Sequence, residues 1–379
     1  MSGDDEMKRV FVDIYLMFNL GDDLFLDILA TKYPNCKFTV NYLGKNYDQF
    51  ISQYRNVSRR KYTILNKIGQ RLKISDSIMN YDKVAEEHDA LLFIGGSIFR
   101  EEKYHNSLYQ DRMRMVQEFK KRDKPVFILG ANFGPYETEE FLNDYKKFFK
   151  LCDDVCFRDV YSYELFKDLS QVRYAPDIVF QMNVDEYKTV PSKNRVGFSI
   201  IDVRHKYGLS SYYNDYIKST VKAIELLVSR GYQCYLMSFC EQEGDLEIIN
   251  TIKLYLSPEA LKNIIIYNYK GNLKEVINLI ASFKFFIAAR FHANIIALLL
   301  GTGIMPVIYS EKTTNMLKDI NLDRILINME ELHLQYDENI INKSFHNKAN
   351  LEFISNDAKN QFEKLSEFLD METFILEGV

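Results

Sequence analysis

Arg290 and His292 stand two residues apart at the head of Ala288-Ala-Arg-Phe-His-Ala-Asn-Ile-Ile-Ala-Leu-Leu-Leu-Gly301. Arginine offers a planar fork to a carboxylate or phosphate, and histidine adds a donor that can carry a proton near neutral pH. Within one helix, residues two apart diverge, so the pair converges only in the turn that precedes the helix. There, unpaired helix N–H groups and the helix dipole attract anions. From Ile287 to Tyr309 the 23 residues are mostly apolar, long enough to span a bilayer. Arg290, His292, Asn294, Gly301, Gly303 and Pro306 interrupt that run, and one Arg at a helix centre costs about 2.5–3.5 kcal/mol. Strand, helix and strand in a soluble sheet accommodate the same residues without this cost. Between an anion site and a capped strand–helix junction, these residues alone are evenly balanced.

Other chemistry-bearing residues fall at comparable places. Lys312 follows the next strand in Tyr309-Ser-Glu-Lys312 and would open another helix. Asn19-Leu-Gly-Asp22 follows the first strand; Asp22 reads as an N-cap, or Asn19, Gly21 and Asp22 face a ligand. Gly95-Gly-Ser97 also follows a strand, where glycines admit close approach, but it matches neither a P-loop nor a dinucleotide fingerprint. Arg158 ends a strand, with Asp159 capping the next helix, and Ala175-Pro-Asp177 holds a carboxylate in a rigid turn. Asp202, Arg204 and His205 follow the first strand of a second series. Each alone reads as surface. Together they concentrate Arg, His and Asp at the carboxyl ends of strands.

The elements that must position them alternate, as in α/β proteins with parallel sheets. Strands are predicted at Arg9–Met17, Lys37–Tyr42, Asp89–Ile94, Pro125–Leu129 and Asp154–Phe157. Helices follow to about Lys32, at Ser107–Arg122, Glu139–Lys150 and Val160–Leu169. Residues 181–194 have linker composition. A second series runs through strands Arg195–Ile201, Gln233–Ser238, Asn263–Tyr267, Phe285–Ala289 and Met305–Tyr309. Its helices are Tyr213–Arg230, with Gly231 as C-cap, Asp245–Leu256 and Leu273–Phe283. A long helix from about Asn356 to Leu369 closes the chain. This is an α/β chain of two Rossmann-like domains facing a cleft, residues 1–185 and 195–355, with a C-terminal helix in 356–379. In such sheets ligands lie beyond the carboxyl ends of the strands.

At 379 residues the chain can bury two cores. A net charge of −5 argues against binding nucleic acid through its backbone. Cys36, Cys152, Cys156, Cys234 and Cys240 form no disulfide or zinc spacing, so buried thiols and a cytoplasmic location are expected. The acidic start Met1-Ser-Gly-Asp-Asp-Glu6 lacks the character of a secretory signal. Tyrosines around residues 42–62 and 207–216 read as packing more readily than as a sugar-stacking surface.

In these motifs the chain resembles the polysaccharide pyruvyl transferases. The family pattern stands here as Asn19-Leu-Gly-Asp22, Ile94-Gly-Gly-Ser97, Arg158-Asp-Val-Tyr-Ser162 and Pro176-Asp177. The most specific block comes last: Arg290-Phe-His292, Gly303-Ile-Met-Pro306 and Tyr309-Ser-Glu-Lys312. Many members have Leu at the Phe291 position and a third Gly at that of Ser97; neither departure removes a charge. The resemblance covers about residues 10 to 320 and implies a GT-B-like fold. It also implies transfer of the enolpyruvyl unit of phosphoenolpyruvate onto two hydroxyls of a saccharide, as a cyclic ketal. Arg290, His292, Lys312 and Arg158 are then the clamps for the donor, and His292 the acid. Asp22 or Asp177 is the base, and Asn19, Gly21, Gly95, Gly96 and Ser97 line the substrates; Arg204 and His205, read from their place after a strand, are counted with them. No metal or other cofactor is expected. The acceptor would be a saccharide or lipid-linked saccharide on the side of residues 1–185, which leaves room for peripheral membrane contact; the donor anion would bind on the side of 195–355. The rival readings are a GT-B-type glycosyltransferase using a nucleotide sugar and a non-catalytic saccharide-binding protein.

Overall fold

The structure, a computed structural model, describes residues 7–61, 80–187, 192, 194–204, 206, 208–309, 311–322, 326–331 and 338–370. The chain divides into two compact units. Unit 1 comprises Met1–Leu16, Phe25–Ile178 and Asn356–Val379; unit 2 comprises Met17–Leu24 and Val179–Ser355. The loop after the first strand is therefore part of unit 2, and the last segment is part of unit 1.

Unit 1 holds β1 (Arg9–Asp13), β2 (Lys37–Val40), β3 (Val57–Arg59), β4 (Ala90–Ile94), β5 (Val126–Ala131), β6 (Asp154–Phe157) and β7 (Val172–Tyr174). They form a parallel sheet in the order β3-β2-β1-β4-β5-β6-β7. Ala90-Leu-Leu-Phe-Ile94 is buried along its whole length, as expected of a strand covered on both faces. A cluster of rings packs beside it: Phe99, Phe133, Tyr145, Phe149 and Phe166 meet largely edge to face. Tyr42, Tyr47, Phe50 and Tyr54 likewise pack ring to ring, the packing expected of that tyrosine-rich stretch.

Unit 2 holds β8 (Arg195–Ile200), β9 (Gln233–Ser238), β10 (Ile264–Asn268), β11 (Phe285–Ala288), β12 (Gly303–Ile308) and β13 (Ile327–Asn328). Their order is β10-β9-β8-β11-β12-β13, all parallel. In both units the chain starts at a central strand, winds outward through two neighbours and returns to the other side. The order reverses beside β1 in unit 1 and beside β8 in unit 2, the points where such sheets open a crevice.

Several boundaries move. β1 ends at Asp13, short of the expected Met17, and Phe18 has φ +50°. The expected closing helix is broken: Glu352–Ala358 and Glu363–Asp370 flank a tighter turn at Lys359–Phe362. Gln361 in that turn is wholly buried and bonded to unit 1: Gly130 N donates to its Oε1 (2.8 Å), and its Nε2 donates to Ala175 O (2.7 Å). A continuous helix would carry this amide away from both partners. All five cysteines are buried free thiols, and burial pushes Cys156 up to about 12. Among the described residues no helix is long and apolar enough to cross a membrane.

Candidate functional site

The helix Phe291–Leu299 starts one residue after Arg290, which is its N-cap in extended backbone (φ −78°, ψ 140°). His292 therefore lies inside the first helical turn, where a turn before the helix was expected for both residues. The extended cap turns Arg290 toward β9, and the helix carries His292 elsewhere. His292 meets Gly21: a Cβ built on Gly21 would overlap Nδ1 of the imidazole. Gly21 belongs to the first turn of the helix Leu20–Lys32, and its N–H donates to Asn19 Oδ1 (3.1 Å). Asn19 is thus the capping residue, and Asp22 lies within the first turn instead of capping it. Two helix N-termini meet at one imidazole, each contributing the positive end of its dipole.

Gly21→Ala tests this seat. Alanine is favoured over glycine in a helix by about 1 kcal/mol, and Gly21 needs no unusual backbone. The collision with the imidazole costs about 1–3 kcal/mol by overpacking and outweighs that gain, so melting is expected to fall modestly, and turnover to fall further because His292 must move. Unchanged turnover would show that the imidazole's position does not matter.

Arg290 faces carboxylates. Its Nε and Nη2 donate to Asp245 Oδ2 (2.8 Å) and Oδ1 (2.6 Å), and Nη1 donates to Glu243 Oε2 (3.2 Å). Burial works against the charge on Arg290, and the two carboxylates more than reverse that, holding the guanidinium protonated. Asp245 is fully buried, and its Oδ2 also accepts from the backbone N–H groups of Phe239 and Cys240 (3.0 Å each). Arg290 N donates to Ser199 Oγ of β8 (3.2 Å), fixing the turn at the reversal point. Glu243 Oε2 accepts also from Lys206 Nζ (2.6 Å), and its Oε1 accepts from Asn19 Nδ2 (3.2 Å). Asp23, fully buried, accepts from Tyr269 Oη (2.7 Å). Asn19, Gly21, Lys206, Glu243, Asp245, Arg290 and His292 thus form one polar constellation in unit 2, with Asp22 and Asp23 following Gly21 in the first helical turn.

Arg204 joins it less directly. Its fork grips buried Asp202 (Nη2 to Oδ2, 2.7 Å) and pairs with Glu247 (2.8 Å). His205 lies outside the described residues. Lys312 is the second residue of the helix Glu311–Asp319; its side chain lies outside the described residues.

The remaining expected residues assemble in unit 1. Arg158 and Asp177, each with a side chain only 2% exposed, form an ion pair (Nη1 to Oδ2, 2.7 Å). Arg158 Nη2 donates to Asn132 Oδ1 (2.5 Å), which also accepts from Ser97 Oγ (3.1 Å). A Cβ on Gly96 would come within 2.6 Å of both guanidinium nitrogens, so that glycine makes room for Arg158. Gly95 takes φ +151° in the preceding position. Asp159 caps the helix Val160–Phe166 as expected, its Oδ1 accepting from Ser162 N (2.8 Å). Gly96→Ala is expected to cost about 1–3 kcal/mol by overpacking, read in chemical denaturation; an unchanged midpoint would mean that Arg158 relocates freely.

Sequence reasoning passed over Lys206, Glu243, Asp245, Asp23 and Tyr269. The signal was available for two of them, Glu243 and Asp245: Phe239-Cys-Glu-Gln-Glu-Gly-Asp245 directly follows the strand Gln233–Ser238.

Comparison with known proteins decides the family. Residues 19–311 match the family described as polysaccharide pyruvyl transferase. The chain belongs to this family. As a polysaccharide pyruvyl transferase family member it is a transferase, and the matched segment contains His292, Arg290, Gly21 and their partners. It is 21% identical over 286 residues to the amylovoran biosynthesis protein AmsJ of Erwinia amylovora, covering 69% of this chain and 67% of that protein. Among solved structures, Anabaena HepE in complex with UDP and glucose has a TM-score of 0.58 at 12% identity, over 97% of this chain and 100% of that one. The UDP-GlcNAc 2-epimerase of Neisseria meningitidis has a TM-score of 0.59 at 12% identity, over 95% and 99%. These likenesses show that the pyruvyl transferase chain has the two-domain α/β, GT-B-like fold.

Proposed function

We propose that this chain transfers pyruvyl from phosphoenolpyruvate onto two hydroxyls of a saccharide, in the synthesis of a surface polysaccharide. The observation that carries the reading is the meeting of two helix N-termini at His292, a place for an anionic substrate that must also receive a proton. In this reading His292 protonates the methylene carbon, which becomes the methyl group. The central carbon accepts the oxygen of one sugar hydroxyl, whose proton passes to Asp22, the residue after Gly21. A second hydroxyl then attacks the same carbon and returns its proton to the imidazole of His292, while phosphate departs with the electron pair of the C–O bond it held and carries away the proton taken up by Asp22.

Asp177 is set aside as the base, because Arg158 holds its carboxylate in a buried pair. Family membership and the likeness to an amylovoran biosynthesis protein support the polysaccharide role. The acceptor is a saccharide or a lipid-linked saccharide, bound on the side of unit 1, and the setting is cytoplasmic with peripheral contact to the membrane through the acceptor.

Purified protein given phosphoenolpyruvate and a panel of glycans should release phosphate and increase the acceptor's mass. Release of a nucleoside diphosphate from sugar nucleotides, with none from phosphoenolpyruvate, would replace this reading with glycosyl transfer. Glycan binding without turnover of either donor would replace it with saccharide binding alone.

A further inference from the structure

Three donors converge on the two oxygens of Glu243: Lys206 Nζ (2.6 Å), Arg290 Nη1 (3.2 Å) and Asn19 Nδ2 (3.2 Å). They come from the loops after β8, β11 and β1. Two cationic ends and an amide around one carboxylate make a set that equally fits the carboxylate or phosphate of a small ligand. Asp245 and Glu243 are held differently. Asp245 is fully buried and fixed by two backbone N–H groups as well as Arg290. Glu243 is 23% exposed, and the bonds from these three side chains can each be made by another anion. It ends the short turn Glu241–Glu243, followed by Gly244 at φ +88°, a residue free to change its backbone. Because Asp245 grips Nε and Nη2, Arg290 stays in place with Nη1 still aimed when Glu243 leaves.

We propose that Glu243 is a stand-in anion: in the ligand-free chain its carboxylate occupies the seat of the donor's carboxylate or phosphate, and the donor displaces it. Lys206, Arg290 Nη1 and Asn19 are the donors of that seat. The inference rests on the reading of unit 2 as the donor-anion side.

Isothermal titration of the full chain with phosphoenolpyruvate and, separately, inorganic phosphate tests it. Glu243→Gln competes less well for two cations and should bind both probes about tenfold more tightly than wild type. Adding Lys206→Met should reverse the gain. Glu243→Asp, whose carboxylate is withdrawn by one methylene, should also bind more tightly; it serves if the glutamine variant melts early. Equal or weaker binding by both single variants would overturn the proposal and leave Glu243 as a brace for Arg290 and Asn19. Tighter binding of both probes by Glu243→Gln, with phosphoenolpyruvate not turned over by wild type, would uphold the seat and overturn the pyruvyl reading. Turnover by wild type with no gain in the variants would overturn the seat alone.

Discussion

His292→Gln is expected to lower turnover of phosphoenolpyruvate by about 10²–10⁴-fold, the usual contribution of a positioned general acid. Glutamine keeps a polar side chain near Gly21 but supplies no acid of comparable strength, so melting should shift little. The effect should appear in kcat more than in KM, because the proton moves in the transition state and not on binding. A second readout separates catalysis from placement. A solvent deuterium isotope effect on kcat should mark the wild-type reaction, in which the proton moves in the transition state, and should change in the variant. Retained kcat with raised KM would make His292 a binding group only.

Arg290→Ala is expected to be the most destabilising of the substitutions considered. It leaves the carboxylate of Asp245 buried with the backbone N–H groups of Phe239 and Cys240 as its remaining named partners. Breaking a buried pair from one side costs about 3–5 kcal/mol. The pH dependence has a definite sign. Burial raises the Asp245 carboxyl above its ordinary value, and Arg290 counteracts that. Without Arg290 the folded value rises further, so folding favours the protonated form. The penalty should be full above that raised value and shrink as pH falls toward the ordinary carboxylate range. Denaturant titrations at pH 7 and pH 5 check this; an equal loss at both would place the damage elsewhere. Arg290→Lys should rescue poorly, since one ammonium cannot span both oxygens. Arg290→Met with Asp245→Asn, whose amide oxygen still accepts from the N–H groups of Phe239 and Cys240, should regain part of the stability without regaining activity, which separates the pair's structural part from its chemical one.

Much of the fold was legible because strands such as Ala90–Ile94, Val126–Ala131, Phe285–Ala288 and Gly303–Ile308 are short and buried along their whole length. Asp154–Phe157 and Gln233–Ser238 stand where the apolar runs placed them, since turn residues bound each run. β3 and β7 were not anticipated: Val57-Ser-Arg59 and Val172-Arg-Tyr174 carry polar residues and only three positions each, so pairing with a neighbouring strand defines them more than their own pattern. The candidate site was legible in its motif residues and opaque in their partners. Gly21 and His292 were each singled out, yet nothing local in a chain says that one provides the floor for the other. Glu243 and Asp245 escaped because carboxylates at a helix start read as helix-dipole partners, and long-range pairing with Arg290 leaves no local trace. Arg158 and Asp177 show the converse: residues chosen for a ligand are found neutralising each other.

The placement of Gln361 also constrains how the chain is made. Unit 1 gathers Met1–Leu16 and Phe25–Ile178 but satisfies Gly130 N and Ala175 O with an amide from its third segment, which begins at Asn356. During synthesis at about 5–20 residues per second, the chain for the bulk of unit 2 emerges while unit 1 still lacks this amide. Gly130 N and Ala175 O therefore gain their amide partner only after nearly half the chain has been made beyond Ile178, so the last contacts of unit 1 form after the chain of unit 2 is complete.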